Sequence, residues 1–379
     1  MGTLLPLITG TIWLYVLVRF VWPLPWGIGA RAALAFVLFL VAQYHWFVRS
    51  FFGSLASPEL PQGVLVGLGW AFGSVLLLAM LLLLRDVAAG LVYLVARGAG
   101  RAILVGRTLN LSLGALALVL SAIGTWQAVR VPDVKDLELT VPGLPPAFDG
   151  YRVVQLTDLH VSRLLPEPWV AAVVAKTDAL DADLVVITGD LADGSPEARA
   201  ADVSPLRDLR ARDGVLAIPG NHEYYADYRR WMAAYRALGL DMLENAHVVI
   251  RRGDAALVVA GITDRQAASF GQPRPDLDAA LKGAPPGAPV ILLAHRPEGA
   301  ARHAQAGVAL QLSGHTHGGQ ILGPHLLTQW ANEGFVSGLY RVGAMLLYVS
   351  NGTGLWNGLA IRLGRPSEIT RIVLRSGNR

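Results

Sequence analysis

The sequence of 379 residues contains no cysteine. Disulfide bonds and thiolate metal sites are therefore excluded, and a metal site would have to use histidine, aspartate, glutamate or asparagine. The first 130 residues also contain no lysine and only two acidic residues, Glu59 and Asp86. Charge is thus distributed unevenly, and the two parts of the chain need separate interpretation.

The net charge of +4 hides two parts of opposite sign. Residues 1–130 contain eight arginines and carry +6, whereas residues 131–379 contain 24 basic and 26 acidic residues and carry −2. The high pI therefore comes from arginines beside apolar segments and not from a basic face on the C-terminal part. Because nucleic-acid binding normally uses clustered lysine and arginine, this composition disfavours a nuclease, and we expect no nucleic-acid partner.

The N-terminal third contains four long apolar segments. A helix needs about 20 apolar residues to cross the hydrocarbon core of a bilayer, and the segments approach or reach that length at residues 4–21, 32–47, 64–84 and 109–126. The alternative for any apolar run is a buried core helix, but residues 64–84 contain no charge at all. We therefore predict a transmembrane domain over residues 1–130, with the lipid bilayer as its partner.

The basic residues beside these segments predict the orientation in the cell membrane. Six arginines lie on the side reached after the first and third segments, and three basic residues lie on the other side. Because basic residues are enriched in cytoplasmic loops, the count favours a multi-pass protein with its C-terminal domain outside the cytoplasm.

The C-terminal part shows the pattern of an α/β domain. Residues 131–149 contain four prolines and predict an irregular linker. Over residues 150–379, short β-branched runs alternate with helical stretches, which is typical of α/β folds. The predicted strands are residues 151–156, 184–188, 215–218, 257–262, 290–293, 308–312, 344–350 and 369–374, and the predicted helices are residues 168–179, 227–238 and 297–305.

Five of the predicted strands are followed at once by side chains that can bind a metal. The segments that follow them are Thr157-Asp158-Leu159-His160, Gly189-Asp190, Gly220-Asn221-His222-Glu223, Ala294-His295 and Gly314-His315-Thr316-His317. Loops beyond the carboxyl ends of strands gather into one site in open α/β sheets. We therefore expect these loops to form a single centre.

In order and spacing, these five segments resemble the motifs of the calcineurin-like metallophosphoesterases. The resemblance covers about residues 151–375 and implies a four-layer αββα sandwich. It implies that Asp158, His160 and His317 bind one metal, that Asn221, His295 and His315 bind the other, and that Asp190 bridges the two. It also implies that His222 donates a hydrogen bond or proton to the leaving oxygen. Each residue has an alternative role, such as a turn for Asp158 and Asn221 or ligand orientation for His222.

Two divalent cations about 3.5–4 Å apart can activate a bridging hydroxide and stabilise an in-line displacement at phosphorus. The bridging carboxylate offsets the repulsion between the cations. Neutral imidazoles with hard oxygen ligands suit Mn, Fe, Zn or Co, and we favour Mn. Asp193 stands where purple acid phosphatases have a tyrosine ligand, so an Fe(III)–tyrosinate centre is not expected. Asp193 itself is interpreted as a turn or supporting residue.

The Gly314–Gln320 segment and the sequence after Ser350 resemble a bacterial branch that contains YkuE- and YaeI-like enzymes. That branch also includes enzymes similar to UDP-2,3-diacylglucosamine pyrophosphohydrolases. Residues 324–341 are apolar. They either line an acyl-chain groove, with Trp330 and Phe335 as contacts, or form a packed loop. Arg296 and Arg341 are candidates for phosphate binding, with surface ion pairs as the alternative.

We therefore expect a membrane-anchored phosphoesterase that acts on a phosphorylated small-molecule or lipid-linked substrate. A broad-specificity phosphodiesterase or nuclease on soluble substrates is the alternative. A non-catalytic membrane scaffold is a further alternative, although such proteins usually have degraded ligands and none is missing here.

Overall fold

The computed structural model describes residues 4–377, which divide into two compact units. One unit contains the chain up to Gln127 together with Asn357–Leu363, and the other contains Ala128–Trp356 and the chain from Gly364 onward. We call them the helical unit and the α/β unit.

The helical unit is built from apolar helices whose surfaces are largely exposed, as expected for helices that face lipid. Three of its helical stretches are long and apolar enough to cross a membrane, and there are four if the bent pair α2–α3 forms one span. The helices are α1 (Leu4–Val16, continued by a π-helical turn at Leu17–Val21), α2 (Ile28–Ala42), α3 (Tyr44–Phe52), α4 (Gln62–Val95), α5 (Arg97–Val105) and α6 (Arg107–Val129).

Helix α4 is longer than the apolar segment that predicts it. The predicted span ends at residue 84, but the helix continues without a break to Val95. Its two charged residues are paired, since Asp86 accepts hydrogen bonds from Arg19 at 2.6 Å and from Arg85 at 2.7 Å. Pairing lowers the cost of placing charges on an otherwise apolar helix.

A short segment from the C-terminal part of the sequence, Asn357–Leu363, packs inside the helical unit. The Nε2 atom of His45 lies 2.5 Å from the carbonyl oxygen of Gly358, and Ile361 is fully buried. Glycines in the helices make room for it, since a Cβ added at Gly124 would lie 2.6 Å from Ile361 Cγ1. The sequence assigns residues 150–379 to one domain, so these seven residues are placed in a different unit from the one predicted.

The α/β unit contains two six-stranded sheets. The first has the strand order β1-β12-β2-β3-β4-β5, and the second has the order β10-β11-β9-β8-β7-β6. The strands are β1 (Asp133–Val141), β2 (Arg152–Leu156), β3 (Leu184–Thr188), β4 (Val215–Ile218), β5 (Asp241–Met242), β6 (Ala246–Arg252), β7 (Ala255–Gly261), β8 (Val290–Leu293), β9 (Leu310–Ser313), β10 (Gly338–Val342), β11 (Met345–Val349) and β12 (Glu368–Ser376). Strands β2, β3 and β4 are parallel neighbours, and so are β7, β8 and β9.

The two sheets pack face to face, because one buried apolar cluster takes residues such as Val153 and Val186 from the first sheet and Ile291 and Leu312 from the second. A further cluster covers the outer face of the second sheet and includes Ala280 and Ala300. The helices of the α/β unit are α7 (Glu167–Asp178), α8 (Pro196–Val203), α9 (His222–Tyr225), α10 (Tyr228–Ala237), α11 (Leu277–Leu281), α12 (Ala300–Gln305) and α13 (His325–Ala331).

The prediction of an irregular linker at residues 131–149 is wrong for its central part. Residues Asp133–Val141 form strand β1, which pairs in parallel with β12 along its whole length. The strand lies at the sheet edge and most of its residues are at least partly exposed. An edge strand with few buried positions lacks a strong apolar pattern, which explains why its sequence looks like a tether.

We expect Gly124→Val to destabilise the helical unit by about 1–3 kcal/mol, the usual cost of overpacking, because the new side chain would collide with Ile361. Thermal unfolding of the detergent-purified protein measures the effect. Gly67→Val is the matched control, since nothing lies within 4 Å of a Cβ at that position. Equal stability of the two variants would contradict the packing described for Asn357–Leu363.

Candidate metal centre

The predicted metal ligands all lie just beyond the carboxyl ends of strands in the α/β unit. Asp158 and His160 follow β2, Asp190 follows β3, and Asn221 follows β4 in the first sheet. His295 follows β8, and His315 and His317 follow β9 in the second sheet. Because each set of strands is parallel, the five loops emerge at corresponding edges of the two sheets.

The backbone is strained at most of these residues. The φ angle is positive at Asp158 (52°), His160 (45°), Asp190 (53°), His315 (68°) and His317 (50°). Residues other than glycine occupy this left-handed region at an energetic cost and are concentrated at functional sites. The surrounding structure must therefore stabilise these loops.

Asp158, His160 and His317 form a first buried cluster. Each offers one ligand atom, and the three atoms lie within 4.8 Å of one another. The Nε2 atoms of His160 and His317 are 3.3 Å apart, and His317 Nε2 lies 3.6 Å from Asp158 Oδ1. The carboxylate of Asp158 also accepts hydrogen bonds from the backbone amide of His315 at 3.0 Å and from the hydroxyl of Thr157 at 2.9 Å.

Asp190, His295 and His315 form a second cluster with the same spacing limit of 4.8 Å. The Oδ1 atom of Asn221 lies 3.2 Å from His295 Nε2, which adds the fourth predicted ligand to this group. The structure thus brings all seven predicted ligands together in two neighbouring sets.

Asp190 lies between the two clusters. Its Oδ2 atom is 3.6 Å from His160 Nε2 in the first cluster and 3.3 Å from His295 Nε2 in the second. Its Oδ1 atom accepts a hydrogen bond from the backbone amide of His222 at 2.8 Å. One carboxylate oxygen is therefore within reach of ligands from both sets.

Several residues orient the ligands. The Nδ1 atom of His295 lies 2.8 Å from the Thr188 carbonyl oxygen, which makes Nδ1 the donor and leaves the Nε2 lone pair toward the cluster. Asp193 contacts Nδ1 of His160 at 3.2 Å. Buried Glu223 accepts from the amides of Leu191 at 2.8 Å and Gly220 at 2.7 Å, and so supports the loop of Asp190.

Thr188 and Glu223 are not among the site residues predicted from the sequence. Glu223 stands at the end of the Gly220–Glu223 segment, where an acidic residue next to a histidine is a detectable signal. Thr188 acts through its carbonyl oxygen, which any residue could supply, and no side-chain pattern could have revealed it.

His222 lies beside the first cluster without belonging to its ligand set. Its Nδ1 atom is 2.5 Å from Asp193 Oδ1, and its ring centroid is 4.5 Å from that of His160 and 6.3 Å from that of Trp356. Because Asp193 holds Nδ1, the Nε2 atom of His222 is the one available to a substrate.

Opposite charges determine the protonation of these buried groups. Burial disfavours the imidazolium of His222, but the carboxylates of Asp193 and Asp190 outweigh this effect and raise its pKa to about 9. Burial also opposes ionisation of Asp193, yet the neighbouring His222 and His160 lower its pKa to about 2. Burial and the positive charge of Arg296 hold the pKa of His315 well below its usual range, so its ring is neutral.

The donor set fits divalent cations. It combines carboxylate and amide oxygens with imidazole nitrogens and contains no thiolate, which suits first-row divalent metals. Arg296 provides a second observation, since its guanidinium lies 2.6 Å from His315 Nε2 and 3.0 Å from Asn221 Oδ1. A positive group therefore already lies against two of the lone pairs that a cation would use.

The four predicted substrate contacts have different surroundings. Arg296 lies at the second cluster and also pairs with Asp264 at 2.7 Å. Phe335 packs against the apolar cluster on the outer face of the second sheet and contacts Tyr340 edge-on. Trp330 is exposed on α13, and Arg341 is exposed on β10. All four residues lie in the described part of the chain, and of the four only Arg296 contacts the predicted ligands.

A cavity of about 490 Å³ opens beside the second cluster. The residues that line the cavity include His295, Arg296, Arg302, Asp276 and Glu333. Its mixture of both charges suits a polar group better than an acyl chain.

Comparison with known proteins identifies relatives of this chain. The family model described as calcineurin-like phosphoesterase matches residues 151–319. A Bos taurus protein described as a transmembrane protein with metallophosphoesterase domain is 36% identical over 301 residues, which cover 75% of this chain and 67% of that protein. A Danio rerio protein of the same description is 35% identical over 273 residues, which cover 69% of this chain and 62% of that protein.

The bacterial relatives include the uncharacterized metallophosphoesterase YkuE of Bacillus subtilis. It is 32% identical over 245 residues, which cover 62% of this chain and 82% of YkuE. The match to the Danio rerio protein spans less than two thirds of that protein's length.

We expect Asp193→Asn to weaken metal binding by roughly 10–100-fold, because the amide lacks the negative charge with which the carboxylate holds the Nδ1–H groups of His160 and His222. Metal content after dialysis against graded chelator measures the effect. Asp183→Asn is the control, since it changes a buried aspartate just before β3, at the other end of that strand from Asp190. Metal affinity as in the parent protein would show that Asp193 does not orient the ligands.

Proposed function

This chain belongs to the calcineurin-like metallophosphoesterases, a family of metal-dependent phosphoester hydrolases, and we propose that it is a membrane-anchored enzyme that uses two cations. The observation that carries the two-cation proposal is the position of Asp190 Oδ2, within 3.6 Å of His160 and 3.3 Å of His295. One set would consist of Asp158, His160 and His317, the other of Asn221, His295 and His315, with Asp190 shared.

When bound, two such cations lower the pKa of the attacking water and stabilise the oxygens of the displacement. Hydrolysis forms a bond between the water oxygen and phosphorus, breaks the ester P–O bond, and delivers a proton to the departing oxygen. We assign that delivery to His222, because Asp193 holds its Nδ1 and leaves Nε2 as the ring nitrogen available to a substrate.

Arg296 would bind an oxygen of the substrate phosphate. Its guanidinium lies against His315 and Asn221, at the edge of the second predicted ligand set. Its Nε atom donates a hydrogen bond to Asp264, which holds the guanidinium beside that set. A planar guanidinium suits phosphate because it offers two parallel donors.

The helical unit supports membrane anchoring, because its stretches Leu4–Val21, Gln62–Val95 and Arg107–Val129 are each long and apolar enough to span a bilayer. The relatives described as transmembrane proteins support the same proposal. An anchored hydrolase meets substrates that diffuse in the bilayer, so we propose a lipid-linked or cell-envelope phosphoester or pyrophosphate as substrate. The extracytoplasmic position of the C-terminal domain, which the count of basic residues favours, remains a prediction.

We expect Asp190→Asn to reduce bound metal and turnover together, by more than the roughly 100-fold typical of losing an outer partner of a ligand. The assay is manganese-dependent hydrolysis of bis(p-nitrophenyl) phosphate by the detergent-purified full chain, with metal content measured on the same samples. Asp241→Asn, which changes an exposed aspartate at the sheet edge, is the control. Full turnover in Asp190→Asn would refute the bridging role.

The same preparation distinguishes the substrate classes. A nucleotide-linked diacyl-sugar is offered beside the soluble diester, and faster turnover of the diacyl-sugar is the expected result. Turnover of the soluble diester alone would favour the broad-specificity enzyme, and turnover of neither, with metal bound, would favour the scaffold.

A further inference from the structure

Helix α13 and the turn before it present an exposed apolar patch on the α/β unit. The patch consists of four residues within nine positions of the chain, namely Leu322 (62% exposed), Leu326 (59%), Leu327 (72%) and Trp330 (84%). In the described part of the α/β unit, only Tyr225, Phe270 and Leu339 are other large hydrophobic residues with comparable exposure. Exposed apolar residues are therefore concentrated in this one segment. A patch of this kind is typical of a surface that binds a protein or a membrane.

The helix does not pack its apolar side into the domain. None of the seven residues of α13 is buried, and the helix contains no acidic, lysine or arginine residue. A packed loop would bury such side chains, as Phe335 a few residues later does. The sequence allows an acyl-chain groove or a packed loop at residues 324–341, and the exposed side chains of Leu326, Leu327 and Trp330 match neither.

The patch is attached to the metal centre by close packing. A Cβ on Gly319, two residues after the predicted ligand His317, would lie 2.5 Å from the backbone Cα of His325, the first residue of α13. The hydroxyl of Thr316 donates a hydrogen bond to the Val336 carbonyl at 2.7 Å, which ties the other end of the segment to the same turn. Whatever binds the patch is therefore held next to His317.

The chain itself indicates the partner. Helix α6, one of the possible membrane spans, ends at Val129, and β1 begins at Asp133. The three residues between them reach at most about 11 Å when extended, so the α/β unit starts close to the end of a span. Leucine and tryptophan on a short helix without charge are typical of segments that lie in the membrane interface.

We propose that α13 lies in the interfacial layer of the bilayer and holds the metal centre at the depth of the lipid headgroups. The corresponding substrate class is a phosphoester in the headgroup of a membrane lipid, taken from the bilayer surface beside His317. The substrate class rests on the proposed function, whereas the position of α13 does not.

The absence of cysteine allows a direct test of that position. Trp330→Cys in the full chain carries a nitroxide spin label at a single site, and the protein is placed in nanodiscs of phosphatidylcholine and phosphatidylglycerol. We expect frequent collisions of the label with oxygen, which concentrates in the hydrocarbon region, and few with a water-soluble nickel chelate. Ala233→Cys on exposed α10 is the control and should show the reverse.

Two results would overturn the proposal. Equal accessibility of the two labels to the nickel chelate would show that α13 faces water. Protection of the Trp330→Cys label from both reagents would show that protein covers the patch, as in contact with a second copy of this chain. Neither result depends on the substrate, so the position of α13 can fail while the proposed hydrolysis stands.

A second variant tests the substrate class. In Leu327→Asn we expect the ratio of turnover on a p-nitrophenyl ester of phosphatidic acid in vesicles to turnover on bis(p-nitrophenyl) phosphate to fall about tenfold, since burial of one leucine side chain accounts for a tenfold change in binding. The loss should appear in KM for the lipid. An unchanged ratio, with Ala233→Asn as the control, would contradict capture of the substrate at this surface.

Discussion

The strained backbone at the predicted metal ligands is the constraint on which the α/β unit depends. Asp158, His160, Asp190, His315 and His317 all have positive φ angles, which side chains other than glycine adopt at a cost. The loops are short and begin at fully buried strands, so the core between the two sheets determines where each ligand starts. Hydrogen bonds such as those from Leu191 and Gly220 to Glu223 then hold the loops in place. The strained backbone is stable because the buried strands fix where each loop begins and the hydrogen bonds to buried acceptors fix its conformation.

Motif and strand pattern together predict which residues form the site. Each predicted ligand follows an apolar strand, and the structure brings the other six into two sets around Asp190. The supporting contacts are less predictable. The sequence predicts Asp193 as a turn or supporting residue, and only the structure shows that it supports both His160 and His222. Such a role depends on distances between loops, which spacing within one loop does not reveal.

The fold follows from the sequence where strands are buried on both faces. The boundaries of β3, β4 and β8 agree with the predicted runs, because a fully buried parallel strand is apolar at every position. Strands β1 and β10 lie at sheet edges and bury few side chains, so their sequences carry little signal. The partner of β1 is β12, more than 230 residues later, and no local window contains both.

The segment Asn357–Leu363 argues against regarding the helices as a detachable anchor. It stands between β11 and β12 in the chain, yet its residues are buried in the helical unit, where Ile361 fills the space left by Gly124 and the carbonyl of Gly358 contacts His45. The residue before it is Trp356, whose ring lies 6.3 Å from that of His222. Removal of the helices would leave Ala360 and Ile361 without the apolar surroundings that bury them, so the helical unit contributes to the folding of this segment.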